Sequence, residues 1–584
     1  MKIKKRFKPY YQAIPKLLKF QLISIIVLSA VTRAISVLFS LMLGISGKAA
    51  VTSGDLSFLF TTWHGYVIML LLLILVLSYI AVELNAMLIY CNKILDGEDP
   101  SILVCIKDGF IALKKFMNLR GLAIIIYAVL ISPLLGLGFS ISLTKSFYIP
   151  SFIMSVIIAN PLLRTGYTIL MLALAIIAII YCFIIFGTLL DGIPIKESSA
   201  VARKLMKANW KNYIWEVICF IVLATLAISL SAAVPAGFLL IVQFIPMSEK
   251  ALLFCDLLFA SLIVAVFLFA ITLSASLFLV KLTMLYKKYQ SEGQWSYHNR
   301  EKKHHPFVIT AAALVFIGCI IFAIVGTYHF NEIFNNEINT EIIAHRAGGI
   351  EAPENTVKGV EVAYELGAKG CEIDIQRTLD GYYVINHDPD FQRVAGIKKK
   401  PSEMTLAEVR ELRVDGEPVP TLEEMLDASR NKVILFVELK GETADKQMAD
   451  DAVRIIKEMG MEDQSVLISL KYDLLEYIEQ KYPEMLTGYL AFISLGRIEN
   501  TPFDYLALEE EISTSYTIEA IHQKGKKIMV WTVNNADDIE HFMTIGADAI
   551  ITDSVKLAGE KKRQLSNRQP LDIILQKAKM MIQQ

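Results

Sequence analysis

The chain has 584 residues, of which 54% are hydrophobic and 20% charged, with a mean hydropathy of +0.48 and a formal net charge of -1. This is too apolar for an ordinary soluble protein, and it excludes disordered and collagen-like chains. The near-neutral balance hides two unlike halves: about 28 Lys+Arg against 15 Asp+Glu up to residue 340, then about 29 against 43, a composition that argues against nucleic acid as a partner of the second half.

Apolar runs of span length, about 20 residues, are predicted at 20–44, 65–90, 121–144, 167–190, 213–244, 253–283 and 307–328, about seven helices in a membrane domain over 1–328. The first is too long and is followed by too many others to be a cleaved signal. Lys+Arg counts alternate: 7, 5, 5 and 5 in 1–19, 91–120, 191–212 and 284–306, against 1, 2 and 1 in the connections between them. The positive-inside rule then puts the N-terminus in the cytoplasm and everything after Tyr328 outside, in a multi-pass cell-membrane protein. Three basic segments that run into spans, AIPKLLKFQLISII, ALKKFMNLRGLAII and ARKLMKANWKNYIW, form a weak repeat placed to lie on the bilayer surface. Arg33 sits midway along the first span, where a charge is costly.

The seven cysteines show no CxxC spacing, so neither a disulfide framework nor a zinc knuckle is expected, and Cys371 is assigned to core packing. Residues 329–340 are a polar tether. From 341 to 560 short β-rich stretches recur near 342–344, 371–375, 382–386, 433–438, 465–469, 486–492, 504–508, 527–533 and 549–552, separated mostly by helix-sized gaps. This predicts an α/β (β/α)8 TIM barrel, with the Asp380-Gly381 turn making 371–386 a hairpin and 561–584 a polar helix or tail.

Charged residues lie at strand ends, where a barrel builds its site. His345 and Arg346 close the first strand, Glu372 and Asp374 alternate in CEIDI, His387 and Asp388 close YVINHDPD, and Glu438 and Lys440 alternate in VILFVELK. Residues two apart on a strand share a face, so two carboxylates converge there and require a cation or a shared proton. Glu438 completes an all-oxygen set suited to calcium or magnesium rather than zinc. Two histidines supply acid and base, and Arg346 with Lys440 supplies positive charge for an anionic oxygen. Together these imply metal-assisted phosphoryl chemistry.

The motifs HRAGGIEAPENT, CEIDIQRTLDGYYVINHD, VELK, VPTLEEML, IMVWTVN and IITD resemble the glycerophosphodiester phosphodiesterase family over essentially all of 341–556, and the first half looks like the membrane domain of some bacterial members. The resemblance implies His345 and His387 as the acid–base pair and Glu372, Asp374 and Glu438 as ligands of a divalent cation. It implies Arg346 and Lys440 as phosphate contacts, and Trp531 as the residue packing on glycerol. The implied reaction has a glycerol hydroxyl attack phosphorus, and water then opens the cyclic phosphate to glycerol 3-phosphate. The expected substrates are glycerophosphodiesters or glycerophosphate polymers, handled by an externally facing enzyme on the lipid bilayer. Asn355 and Thr356 of PENT are read as helix caps. The chain departs from the family at Ala347, where Gly is usual; a positive φ there would make Ala costly, with Gly348 and Gly349 able to take over. The competing reading is a membrane transporter or sensor for glycerophosphodiesters with a binding-only barrel, which has no need of an acid–base pair.

Overall fold

The computed structural model describes residues 2–47, 50–53, 57–124, 151–295, 297, 306–334 and 337–583. Among them six helices are long and apolar enough to cross a membrane: Lys8–Ile45, Trp63–Leu95, Pro161–Leu190, Ile195–Val242, Glu249–Gln290 and Pro306–Tyr328. They match six of the expected spans; the remaining one, 121–144, lies outside the described residues except for 121–124. Thr62, Asn160 and Ser248 start three of these helices with side-chain caps on the free N–H groups.

The basic segment before the third expected span forms the helix Ile102–Phe116, which buries Cys105, Gly109, Ala112 and Phe116 on one face. Gly109 lies so close to the helix Trp63–Leu95 that a methyl group would sit 2.8 Å from the Ala86 nitrogen. Arg33 is exposed on its helix, and no described residue pairs with it. Glu216 forms a 2.6 Å ion pair with Lys281, and Asp256 accepts from Gln243 at 2.7 Å.

The second half closes into a barrel. Its strands are β2 (Glu341–Ala344), β3 (Gly370–Arg377), β7 (Ile434–Leu439), β8 (Ser465–Ser469), β9 (Leu486–Ala491), β11 (Tyr505–Glu509), β12 (Lys527–Trp531) and β13 (Ala549–Thr552). All pair in parallel, and β2 with β3 completes the ring. The ninth candidate stretch is β4 (Tyr383–Ile385), antiparallel to β3 in the expected hairpin. Two small ladders remain: β5 (Arg413–Val414) with β6 (Glu417–Pro418), and β1 (Ala50–Thr52) with β10 (Ser494–Gly496).

Strand alternation separates two apolar layers. Ile343, Phe436, Val466, Ile468, Ala507, Met529 and Ile551 fill the barrel interior. Cys371, Ile373, Ile375, Leu435 and Val437 face the surrounding helices, in the same cluster as Val360, Leu426 and Val453. Cys371 is wholly buried and burial pushes its thiol up, as core packing demands.

Two connections differ from expectation. The stretch 561–584, expected as a polar helix or tail, is helical but not solvated: Leu565, in the helix Val555–Ser566, is buried in the barrel cluster, and Pro570–Gln583 buries Ile573 and Ile574 against Leu257, Ala260 and Ala323 of the membrane helices. Ile573, Gln576 and Met580, spaced i, i+3 and i+7, are buried together and give this helix its inward face. The tether contains a short helix, Phe330–Ile333, and Phe334 is buried in the same cluster.

Candidate active site

The register of the sheet brings the acidic residues together. Asp374 of β3 is the direct partner of Glu438 on β7, and Glu372 precedes Asp374 by two residues on the same inward face. One oxygen from each carboxylate lies within 4.8 Å of the others, and all three side chains are buried. Lys440, just past β7, donates to Asp374 Oδ1 at 2.8 Å and to Glu438 Oε2 at 3.1 Å. The backbone N–H of Arg346 donates to Glu372 Oε2 at 2.8 Å.

Three carboxylates and one ammonium leave the cluster short of positive charge. Burial, then the charges of Asp374 and Glu438, raises the Glu372 carboxyl well above the ordinary range. Burial also lifts Glu438, to about 7, against the opposing pull of Lys440. Asp374 behaves oppositely: burial alone would raise it, but Lys440, His387 and the Asn355 amide hold it charged. A buried all-oxygen set with two reluctant carboxylates fits a hard divalent cation.

Both histidines are held through Nδ1. His345 Nδ1 lies 2.7 Å from Asp553 Oδ1, and Asp553 in turn accepts from Asn534 Nδ2 at 2.6 Å. His387 Nδ1 lies 2.9 Å from Asp388 Oδ1. Gln376, the next inward residue of β3, donates to the carbonyls of Asn386 and Asp388, both at 2.7 Å, and fixes the loop that carries His387. In each case Nε2 is the nitrogen left for chemistry. Burial foremost lowers the His387 pKa, favouring the neutral ring.

One residue sits differently from the sequence reading. Thr356 does cap its helix, accepting from Gly359 N at 3.0 Å, but Asn355 enters the site instead, at φ +55°, donating Nδ2 to Asp374 Oδ2 at 2.9 Å. Arg346 stands at the same mouth with its guanidinium 3.3 Å from Glu354, while its buried Nε has no hydrogen-bond partner. Trp531 ends β12 beside the interior cluster and donates Nε1 to Ala507 O at 2.8 Å.

Sequence reasoning assigned no role to Arg393, Glu354 or Asp388, yet they form one network. Arg393 grips Glu354 with two bonds of 2.6 and 2.9 Å and donates Nε to Asp388 Oδ2 at 2.6 Å. It thereby links the carboxylate beside Arg346 to the one that holds His387. Arg393 belongs to the segment after β4, which folds on its own apolar cluster of Val384, Phe391, Met404, Val409, Val414 and Val419.

The first turn of the site is left-handed. Arg346 has φ +49°, Ala347 φ +58° and Gly349 φ +57°. The condition under which Ala347 is costly, a positive φ, is met, and its methyl is fully buried in the cluster between sheet and helices. Gly349 has no such latitude: a Cβ there would lie 2.2 Å from the Asp553 carbonyl oxygen.

Both halves of the chain are similar to known proteins. Residues 345–557 match the glycerophosphoryl diester phosphodiesterase family, and residues 3–324 match the membrane domain of glycerophosphoryl diester phosphodiesterase. The glycerophosphodiester phosphodiesterase of Caldanaerobacter subterraneus subsp. tengcongensis is 29% identical over 235 residues, 37% of this chain and 95% of that protein. The glycerophosphodiester phosphodiesterase of Bacillus altitudinis is 27% identical over 250 residues, 38% of this chain and all of that one. A phosphodiesterase from Oleispira antarctica, solved in complex with the product sn-glycerol-3-phosphate, is 25% identical with a TM-score of 0.36, covering 38% of this chain and 96% of its own. Both halves of the chain thus carry the family's signature, and the protein belongs to the glycerophosphoryl diester phosphodiesterases as a member whose catalytic barrel follows the family's membrane domain.

Proposed function

We propose that this enzyme hydrolyses glycerophosphodiesters to glycerol 3-phosphate and an alcohol, with a divalent cation, calcium or magnesium, held by Glu372, Asp374 and Glu438. The observation that carries the reading is the convergence of those three buried carboxylates in a mouth that also holds two histidines with fixed Nδ1 atoms. When bound, the cation supplies charge neutralisation for a phosphoryl oxygen. The remaining work falls to the chain. Arg346 and Lys440 attract the phosphate, and the unpaired Arg346 Nε is a donor suited to one of its oxygens. One histidine takes the proton of the attacking glycerol hydroxyl through Nε2, and the other gives a proton to the departing alcohol as its bond to phosphorus breaks. Water then adds to phosphorus, losing its proton to the second histidine, while the first returns a proton to the glycerol oxygen as the ring bond to phosphorus breaks. Trp531 offers an apolar wall for the glycerol carbons.

The barrel sits on the outer face of the cell membrane in this reading. Its contacts support that side: β10 pairs with β1, in the connection between the first two membrane helices, at the end opposite the Lys- and Arg-rich segments. A binding-only transporter or sensor leaves the two Asp-held histidines without a purpose.

The test is glycerol 3-phosphate release by the full chain in nanodiscs from glycerophosphocholine, glycerophosphoethanolamine and glycerophosphoglycerol, with calcium, magnesium or chelator. Release that depends on the metal and is abolished in Glu372→Ala is expected. Release indifferent to both chelator and that substitution sinks the metal site. Ligand flux into vesicles that survives a His345→Ala, His387→Ala double substitution would identify a transporter instead.

A further inference from the structure

A (β/α)8 barrel surrounds its strands with eight helices. This one has seven: Val357–Glu365, Leu422–Ser429, Lys446–Glu458, Tyr472–Lys481, Ser515–His522, Ala536–Ile545 and Val555–Ser566. The connection from β9 to β11 holds only β10 and a single turn, Ile498–Asn500, so the outer face of β9 lacks its helix. Yet Thr487, Tyr489 and Ala491 on that face are all buried.

Part of the cover comes from the membrane domain. Ala50 is a member of the barrel's own apolar cluster, and Val51 packs with Leu43 and Ile68 of the first two membrane helices and with Leu59 of the short helix Ser57–Thr61 between them. Between them the two clusters lock the connection to both halves of the chain. The ladder runs Ala50 to Gly496, Val51 to Leu495 and Thr52 to Ser494. It is extended by Ser53 N to Ile493 O and Phe492 N to Ser53 Oγ, each at 3.1 Å, and by a hydrogen bond between the Thr52 and Tyr489 hydroxyls.

A second attachment orients the barrel. Phe334, shortly before β2 begins, and Ile573 and Ile574, past the helix that ends at Ser566, are buried on Leu257 and Ala260. The catalytic mouth lies at the ends of the strands and the opposite face at their starts, so this contact places the bottom of the barrel toward the helical bundle.

We infer that the connection Ala50–Ser53 is a docking strand that replaces the missing wall element of the barrel and, with the helix Pro570–Gln583, clamps the catalytic mouth facing away from the bilayer. The surface it occupies is built from β9 and β10, and its partner is the membrane domain of the same chain. The inference deepens the external, membrane-held reading of the enzyme and rests on it.

Two measurements on the full chain in nanodiscs test the clamp. The first is oxidation of a Val51→Cys, Leu495→Cys pair; antiparallel partners lie about 4.5–5.5 Å apart between Cα atoms, inside the range of about 4.4–6.8 Å that a disulfide spans. A linked peptide joining the two positions is expected, with glycerophosphocholine hydrolysis kept within about twofold. No link, or a rate falling more than about tenfold on linking, overturns the docked working pose. Absence of hydrolysis in reduced and oxidised protein alike counts against the activity, while the link itself still decides the clamp. The second is quenching by lipid-borne quenchers of a dye on Lys524→Cys, at the barrel bottom, or on Leu379→Cys, at the mouth hairpin, with Cys182, Cys219 and Cys255 replaced by Ala. Stronger quenching at residue 524 is expected; equal or reversed quenching refutes the orientation.

Discussion

Gly349→Ala is the sharpest test of how the first strand builds the site. The residue holds φ +57°, and the added Cβ would lie 2.2 Å from the Asp553 carbonyl oxygen and 2.8 Å from its carbon. A left-handed conformation costs an L-residue about 1–2 kcal/mol, and relief of the overlap requires the backbone at Asp553 to move. That backbone also accepts from Ile350 N at 2.7 Å, and its side chain holds His345. A total loss of about 2–3 kcal/mol follows once disturbed bonds are included, or roughly 5–10 °C in thermal midpoint for a domain of this size. A displaced histidine costs about 100-fold in rate.

The neighbouring substitution Ala347→Gly makes the contrast. It relieves about 1–2 kcal/mol of left-handed strain, but it loses a buried methyl worth about 0.8 kcal/mol and frees the unfolded chain by about 0.4–1 kcal/mol. Stability and rate are therefore expected to stay close to those of the parent, although this is the residue the family usually carries. Thermal unfolding of the solubilised full chain and glycerol 3-phosphate release read both variants. A Gly349→Ala enzyme with parental midpoint and rate refutes the reasoning.

Arg393→Ala breaks the bridge between Glu354 and Asp388 while leaving the carboxylates in place, so kcat is expected to fall about tenfold with KM nearly unchanged; dilute guanidinium should restore part of it, and absence of rescue argues against a positioning role. Lys440→Met removes the only ammonium bonded to Asp374 and Glu438 among the described residues, so added calcium or magnesium should raise its thermal midpoint more than it raises the parent's; an equal shift counts against the charge argument. The Glu438 carboxyl is raised to about 7, so in chelator its contribution to stability is complete below the ordinary carboxylate pKa and is lost as pH rises through about 7. Cation binding displaces the same proton, so apparent metal affinity should strengthen over that window; thermal melts across pH, with and without metal, show a flat response if the cluster is not the metal site.

The division into helical bundle and barrel was readable because two periodicities change over at one place, and Glu372, Asp374 and Glu438 were readable because charges stood where a barrel strand wants Val or Ile. Asn355 was misread because the residue before a capping Thr looks like part of the cap; only the fold shows its amide turned to Asp374. Arg393 carried no signal, since its meaning depends on how the segment after β4 folds back over Glu354. The docking strand was equally silent: three residues in a short connection have no period to detect. Pro570–Gln583 was different. Its apolar residues were visible, but the abundance of Lys and Gln around them favoured reading it as a polar helix or tail rather than one with a buried face.

The bond between Thr52 and Tyr489 joins residues 437 apart in sequence. A ribosome adding 5–20 residues per second needs roughly 20–90 s to span that distance. Throughout that interval the docking strand exists with nothing to dock upon, and the barrel wall cannot close until the strand that receives it has reached the same side of the bilayer. Order of synthesis therefore becomes order of assembly: the bundle is laid down first, and the enzyme is finished against it.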